Sequence, residues 1–315
     1  MNPRKYIDYS ILIQSDGVIQ ASADSIRSAP ARIDFHQAEL ASLYIQAVND
    51  GVVNSTSKLQ NLGKLLYNTL FAEPVGGHFR EQAWRKVFTD PHQETCVRLR
   101  IIFQQGVTPH IMNMPWEFLF HPTQEIFLGT YPKFSVSYKL EDWYDQYPEP
   151  RADDVPIRVL FAHMHPEDLD GIGTSPVRNA IGELKKEDIT FHELTDPSVT
   201  SLKETIQKFR PHIFHFLGHG QFQEGHGSFA FSDKSGNAFW YDSQSFSILF
   251  GGWLPSLMVL QACESGQISE NSTLSGGIAW LVRQNVPAVV GMRYPFEQGA
   301  GWIFIRKFYE LLSQN

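Results

Sequence analysis

Three observations predict an α/β fold for this chain of 315 residues, with a mostly parallel sheet covered by helices on both faces. Beyond residue 156, short apolar runs alternate with amphipathic stretches at the spacing of strand–helix units. Those runs are almost continuously hydrophobic, as in strands buried on both faces. Two of them, Ile213–Leu217 and Leu257–Leu260, run into Gly218-His219-Gly220 and Gln261-Ala262-Cys263. Each delivers a reactive side chain just past its last apolar residue, at the carboxyl end of a strand, where open α/β sheets bind their ligands.

The elements follow in order. Tyr6–Ile13 alternates and reads as a strand. Phe35–Val48 and Leu59–Phe71 carry apolar residues at helical spacing. Thr95–Phe103 alternates strictly, as a half-buried strand does, and encloses Cys96. Met114–Phe120 is an aromatic knot around Trp116, and Phe134–Tyr138 reads as a strand. Tyr147–Pro156 is Pro-rich, acidic and aperiodic, the composition of a linker. It divides the chain into halves of residues 1–150 and 151–315. In the second half, strands are expected at Ile157–Ala162, Ile189–His192, His212–Leu217, Ser228–Phe231, Leu257–Leu260 and Val286–Gly291. Helices are expected at Ser175–Lys186, Val199–Phe209, Thr273–Gln284 and Gln298–Leu312.

Composition removes several classes of function. A formal charge of −8 argues against a broad nucleic-acid or anionic-membrane surface. No apolar run approaches the length of a membrane span, and the N-terminus carries no apolar signal core. Two cysteines, Cys96 and Cys263, make no disulfide framework and fit a reducing cytoplasm.

Cys263 and His219, 44 residues apart and presented at the same sheet edge, suggest a thiol nucleophile beside an imidazole. Cys263 follows four apolar residues and precedes a polar loop, whereas Cys96 reads as a small core hydrophobe. The glycines around His219 read as a tight turn and leave the Gly220 amide open to stabilise an oxyanion. Histidines 212, 215, 219 and 226 invite a metal reading. Positions 212 and 215 fall on opposite faces of one strand, however, and no carboxylates complete a ligand set. The glycine spacing matches neither nucleotide fingerprint, so neither metal nor cofactor is expected.

With those residues in place, the second half resembles a CHAT domain, a branch of the caspase-like cysteine peptidases. The matching pieces are His215-Phe216-Leu217-Gly218-His219-Gly220, Leu260-Gln261-Ala262-Cys263-Glu264-Ser265-Gly266 and Val289-Val290-Gly291-Met292-Arg293-Tyr294-Pro295. The closing Phe304–Leu312 also fits, as does Met114-Pro115-Trp116-Glu117-Phe118-Leu119, giving a resemblance over roughly residues 95–312. It implies a caspase-like peptidase half preceded by a degenerate, non-catalytic caspase-like half. Cys263 would be the nucleophile, His219 the general base and acid, and the Gly220 and Cys263 amides the oxyanion hole. Gln261, Arg293 and Glu264 would surround the P1 side chain, the residue on the acyl side of the cut. Neutral Gln261 and cationic Arg293 lean toward an acidic or polar P1 residue; Glu264 has the opposite sign and leaves the preference open.

The resemblance further implies a protein substrate and an activating sensor domain or partner protein, with no nucleic acid or membrane bound directly. Such proteins occur in prokaryotic stress and antiviral systems, some linked to CRISPR or cyclic-nucleotide sensing, so latency until activation is expected. A catalytically silent scaffold and a small-molecule sensor are the other readings of the same residues.

Overall fold

The computed structural model describes residues 4–33, 39–44, 56–112, 114–141, 156–183, 189–223, 226–264, 286–291 and 298–312. At 263 and 264 it describes the backbone alone. The expected helix 273–284, Arg293, the Tyr147–Val155 part of the linker, and most of the polar loop after Cys263 lie outside these residues, and of the expected helix 35–48 only 39–44 is described. The chain divides into two compact units, Met1–Tyr144 and Asp145–Asn315. Among the described residues, no helix is long and apolar enough to cross a membrane.

The first unit is built on a mixed sheet. Strand β1 (Lys5–Ile13) lies antiparallel to β2 (Val18–Ala23) and parallel to β3 (Thr95–Phe103), which pairs in parallel with β4 (Phe134–Leu140). Its inward residues Tyr9, Ile11, Leu99 and Ile101 join Leu62 and Leu66 of helix α1 (Thr56–Leu70) in one core. Gly63 admits this packing, because a Cβ there would meet the Phe118 carbonyl oxygen at 2.3 Å. Trp116 of the aromatic knot is fully buried, and its indole N–H donates to the Ile111 carbonyl. Cys96 is buried, although alternation puts it on the face of β3 that also carries Arg98 and Arg100, opposite the core residues Val97 and Leu99.

The second unit carries the parallel sheet. Its strands are β5 (Ile157–His163), β6 (Ile189–Thr195), β7 (Ile213–Gln223), β10 (Leu257–Glu264) and β11 (Ala288–Gly291). Their spatial order is β6-β5-β7-β10-β11, all parallel. A hairpin of β8 (His226–Ser232) and β9 (Ala238–Asp242) extends the far half of β7 in antiparallel sense. Helices α2 (Ser175–Gly182) and α5 (Gln298–Leu312) cover one face through Val177, Ala180, Ile181, Ile305 and Tyr309. On the other face, α3 (Val199–Phe209) and α4 (Ser243–Ile248) pack Leu202, Ile206 and Phe246 against Phe214, Phe216 and Met258.

Chain order reverses between β5 and β7, the switch point at which doubly wound sheets open a crevice. Strand β7, which carries His219, borders that switch point, and β10, which carries Cys263, is its neighbour on the other side.

Candidate active site

His219 does not sit in a turn. Strand β7 continues through it to Gln223, so Gly218, His219 and Gly220 are all strand residues. The expectation of a turn rested on the glycines, but here their small size serves packing. A Cβ at Gly218 would meet the Phe216 ring at 3.0 Å, and one at Gly220 would meet the Ala262 Cβ at 3.1 Å. Strand β10 likewise runs through Cys263 to Glu264.

The two strands are in register so that His219 pairs with Cys263 and Gly220 with Glu264. Neighbouring strands lie about 4.8 Å apart, and paired residues of parallel strands face the same side. The imidazole and the thiol-bearing residue are thus adjacent on the face covered by α2 and α5. Gly220 is buried and also pairs with Phe229 of β8.

His219 is half-buried, and its Nε2 lies 2.7 Å from the backbone carbonyl oxygen of Asp170. A carbonyl oxygen can only accept, so Nε2 carries a proton, and in the neutral tautomer this leaves the lone pair on Nδ1. Asp170 belongs to the loop that leaves β5, and this loop is tied to the hairpin. The Glu167 amide donates to the Gly236 carbonyl, and the Ala238 amide donates to Asp168 Oδ1 at 2.7 Å. Sequence reasoning missed Asp170, because a backbone carbonyl leaves no mark in the residue type.

Gln261 lies two residues before Cys263 on the same strand face, and it is half-buried. Its Oε1 is 2.8 Å from Nε2 of His215, while Nδ1 of His215 is 2.8 Å from the Tyr309 hydroxyl. His215 and Tyr309 are both fully buried. Burial pushes the His215 imidazole down to about 4, against the opposing bond from Gln261, so the ring is neutral near pH 7. The histidine set aside as a metal candidate is therefore a hydrogen-bond bridge between helix α5 and strand β10. His212 lies elsewhere, at the opposite end of the sheet, bonded to Arg158.

A second polar cluster stands at the end of β5. His163 Nε2 lies 2.8 Å from Glu193 Oε1 and 3.0 Å from the Thr195 hydroxyl. The same carboxylate oxygen takes Arg178 of α2 at 2.6 Å. Burial raises the Glu193 carboxyl, but the bonds from Arg178 and His163 outweigh it and hold the group below its usual range. Burial lowers the His163 imidazole, so it too is neutral.

Arg293 falls outside the described residues, as do the side chains of Cys263 and Glu264. Of the groups expected around the P1 side chain, the described side chain is that of Gln261.

No curated protein matches this chain. Among solved structures, a non-polymerising MamK mutant bound to AMPPNP aligns over 98% of this chain and 99% of its own at 12% identity. Its TM-score of 0.21 is too low to bear on the fold. The profile of the CHAT domain matches residues 60–315, reaching upstream of the resemblance legible from residue 95 to include most of α1. With that match spanning most of the sequence, and with a mostly parallel, helix-covered sheet of caspase-like kind beneath it, the chain belongs to the CHAT domain family, relatives of the caspase-like peptidases.

Proposed function

We propose that this protein is a cysteine endopeptidase in which His219 and Cys263 form the catalytic dyad. The observation that carries the reading is the in-register pairing of His219 with Cys263, with the His219 proton fixed on Nε2 by the Asp170 carbonyl. The free lone pair on Nδ1 is what a general base needs.

In this mechanism Nδ1 takes the Cys263 thiol proton, and the thiolate attacks the scissile carbonyl carbon. The Asp170 carbonyl accepts the Nε2–H bond throughout and favours the imidazolium while it exists. Amides of Gly220 and Cys263 are the donors proposed for the oxyanion. Collapse of the tetrahedral intermediate breaks the C–N bond, and the imidazolium returns its proton to the leaving amine. Water, deprotonated by His219, then releases the acyl group and restores the thiol. The partners this reading calls for are a protein substrate and an activating module that keeps the enzyme silent until needed.

The test is a mass-spectrometric search for new protein N-termini in a cell lysate. Native chain is expected to generate termini that Cys263→Ala and His219→Ala do not. Identical termini from the Cys263→Ala chain would overturn the assignment. In parallel, iodoacetamide is expected to modify Cys263 faster than buried Cys96 near neutral pH, with the advantage lost in His219→Ala.

A further inference from the structure

The carbonyl that holds the His219 proton stands in a thinly anchored loop. Asp170, Gly171 and Gly173 are exposed, and a Cβ added at either glycine would meet nothing within 4 Å. Downstream, Ile172 packs against the core below. Upstream, two bonds tie the loop to the hairpin of β8 and β9. The Glu167 amide donates to the Gly236 carbonyl at 2.8 Å, and Asp168 Oδ1 accepts from the Ala238 amide at 2.7 Å.

The direction of that Ala238 amide gives the second bond its meaning. Ala238 opens β9, an edge strand among the described residues. One step earlier, the Asp233 amide donates to the Asn237 carbonyl, so those two residues form a hydrogen-bonded pair. In an antiparallel ladder the next pair, Ser232 with Ala238, turns its amides away from the partner strand. Asp168 thus occupies the place where a further strand would bind, and blunts the edge with a carboxylate. The end of the hairpin is stiff enough to act as an anchor. Asp233 Oδ1 accepts from the Ser235 and Asn237 amides at 2.7 and 3.0 Å. Gly236 adopts φ +85°, and a Cβ there would meet the Glu167 carboxyl carbon at 3.0 Å. The hairpin itself grows from β7, where Gly220 pairs with Phe229. The result is a closed circuit that runs from His219 along its strand, through the hairpin to Asp168, and back by the Asp170 carbonyl to His219 Nε2.

Resting on the peptidase reading, we propose that Asp168 is a positioning residue for the dyad, its carboxylate keeping the Asp170 carbonyl in line with His219 Nε2–H. It acts through the loop and not on the reacting atoms. Once its bond is lost, the loop drifts and water replaces the carbonyl. The imidazolium then lacks a fixed acceptor, and the Cys263 proton passes less readily to Nδ1. Asparagine at 168 keeps an acceptor oxygen in place, so the circuit depends on the bond and not on the charge.

The experiment follows iodoacetamide modification of Cys263 in the full chain, by mass spectrometry of the peptide that carries it, from about pH 5 to 9. Asp168→Ala is expected to slow modification near neutral pH roughly fivefold, and to move the rising limb of the rate profile up by about half a unit or more. Asp168→Asn is expected to stay within about twofold of native. Gly236→Ala strikes the same tether from the hairpin side and is expected to move the limb in the same direction. A native profile in Asp168→Ala, even with a lowered melting temperature, marks the bond as merely structural and overturns the inference. So does an Asp168→Asn profile that matches Asp168→Ala, because it assigns the effect to charge. Should Asp168→Ala fail to fold, an unmoved profile in Gly236→Ala overturns the inference in its stead. If native and His219→Ala chains react alike, it is the peptidase reading that falls.

Discussion

The two sheets of this protein handle polar residues in opposite ways. In the first unit the central strands alternate, and charge collects on the more exposed face. Asp8 of β1 meets Arg98 and Arg100 of β3 at 2.7 and 3.3 Å, with all three side chains more than a third exposed. In the second unit the central strands are covered on both sides, and β5 is buried from Val159 to its end. Its polar residues are few, uncharged where fully buried, and each is bonded to chosen partners. Water screens the first arrangement and makes it cheap and weak. Burial makes the second costly to satisfy, and capable of holding a proton on one named atom.

The largest test of this contrast is His215→Ala. It opens a cavity and strands both the Tyr309 hydroxyl and the Gln261 carbonyl, and it is expected to destabilise by about 3 kcal/mol or more in chemical denaturation. A loss below about 1 kcal/mol would show that the buried bridge matters no more than a surface pair.

Acidification comes next. The neutral His215 ring is held near 4 in the folded state against an ordinary value of 6.5. The unfolded chain therefore takes up a proton first as the pH falls. Stability is expected to be intact above pH 6.5 and to decline from there toward pH 4, by on the order of 3 kcal/mol in full. His163 is shifted the same way and adds to the slope. Between pH 6.5 and about 5.5 carboxylates of ordinary pKa still hold most of their charge. A flat profile across that window would contradict a neutral buried ring, and His215→Ala should flatten it.

The smallest effect is expected from Asp8→Asn. Exposed ion pairs contribute less than about 1 kcal/mol, and added salt should erase the difference. A large, salt-insensitive loss would mean that the first sheet shelters its charges after all.

Much of the architecture was written in periodicity. Thr95–Phe103, Val199–Phe209 and Gln298–Leu312 appear with the expected ends, because their patterns are long and unbroken. Strand β2 was not foreseen, since two of its three inward residues, Ile19, Ala21 and Ala23, are alanines and give only a faint apolar alternation. Its clue was the Asp16-Gly17 turn, where Gly17 adopts φ +81°. The helical stretch Val75–Thr89 escaped for a different reason. It begins on Gly76-Gly77 and passes through a π-turn at Arg80–Trp84, which breaks the helical spacing of its apolar residues. In the site, His219 and Cys263 could be singled out because each stands just past the last apolar residues of a buried run, although both strands continue through them. The His215–Tyr309 bond could not, because it joins positions 94 residues apart through a helix face that periodicity marks only as core.

The register of β7 against β10 also fixes when the proposed dyad comes together. Strand β7 finds β5 upstream, but its other edge waits for a segment made 44 residues later. Chains grow and fold from the N-terminus, and parallel pairing of distant segments is slow. A nascent chain that has already laid His219 against β5 still has no thiol beside it. On the proposed reading, competence to react arrives only when β10 pairs with β7, and the folding order itself would keep half-made copies chemically inert.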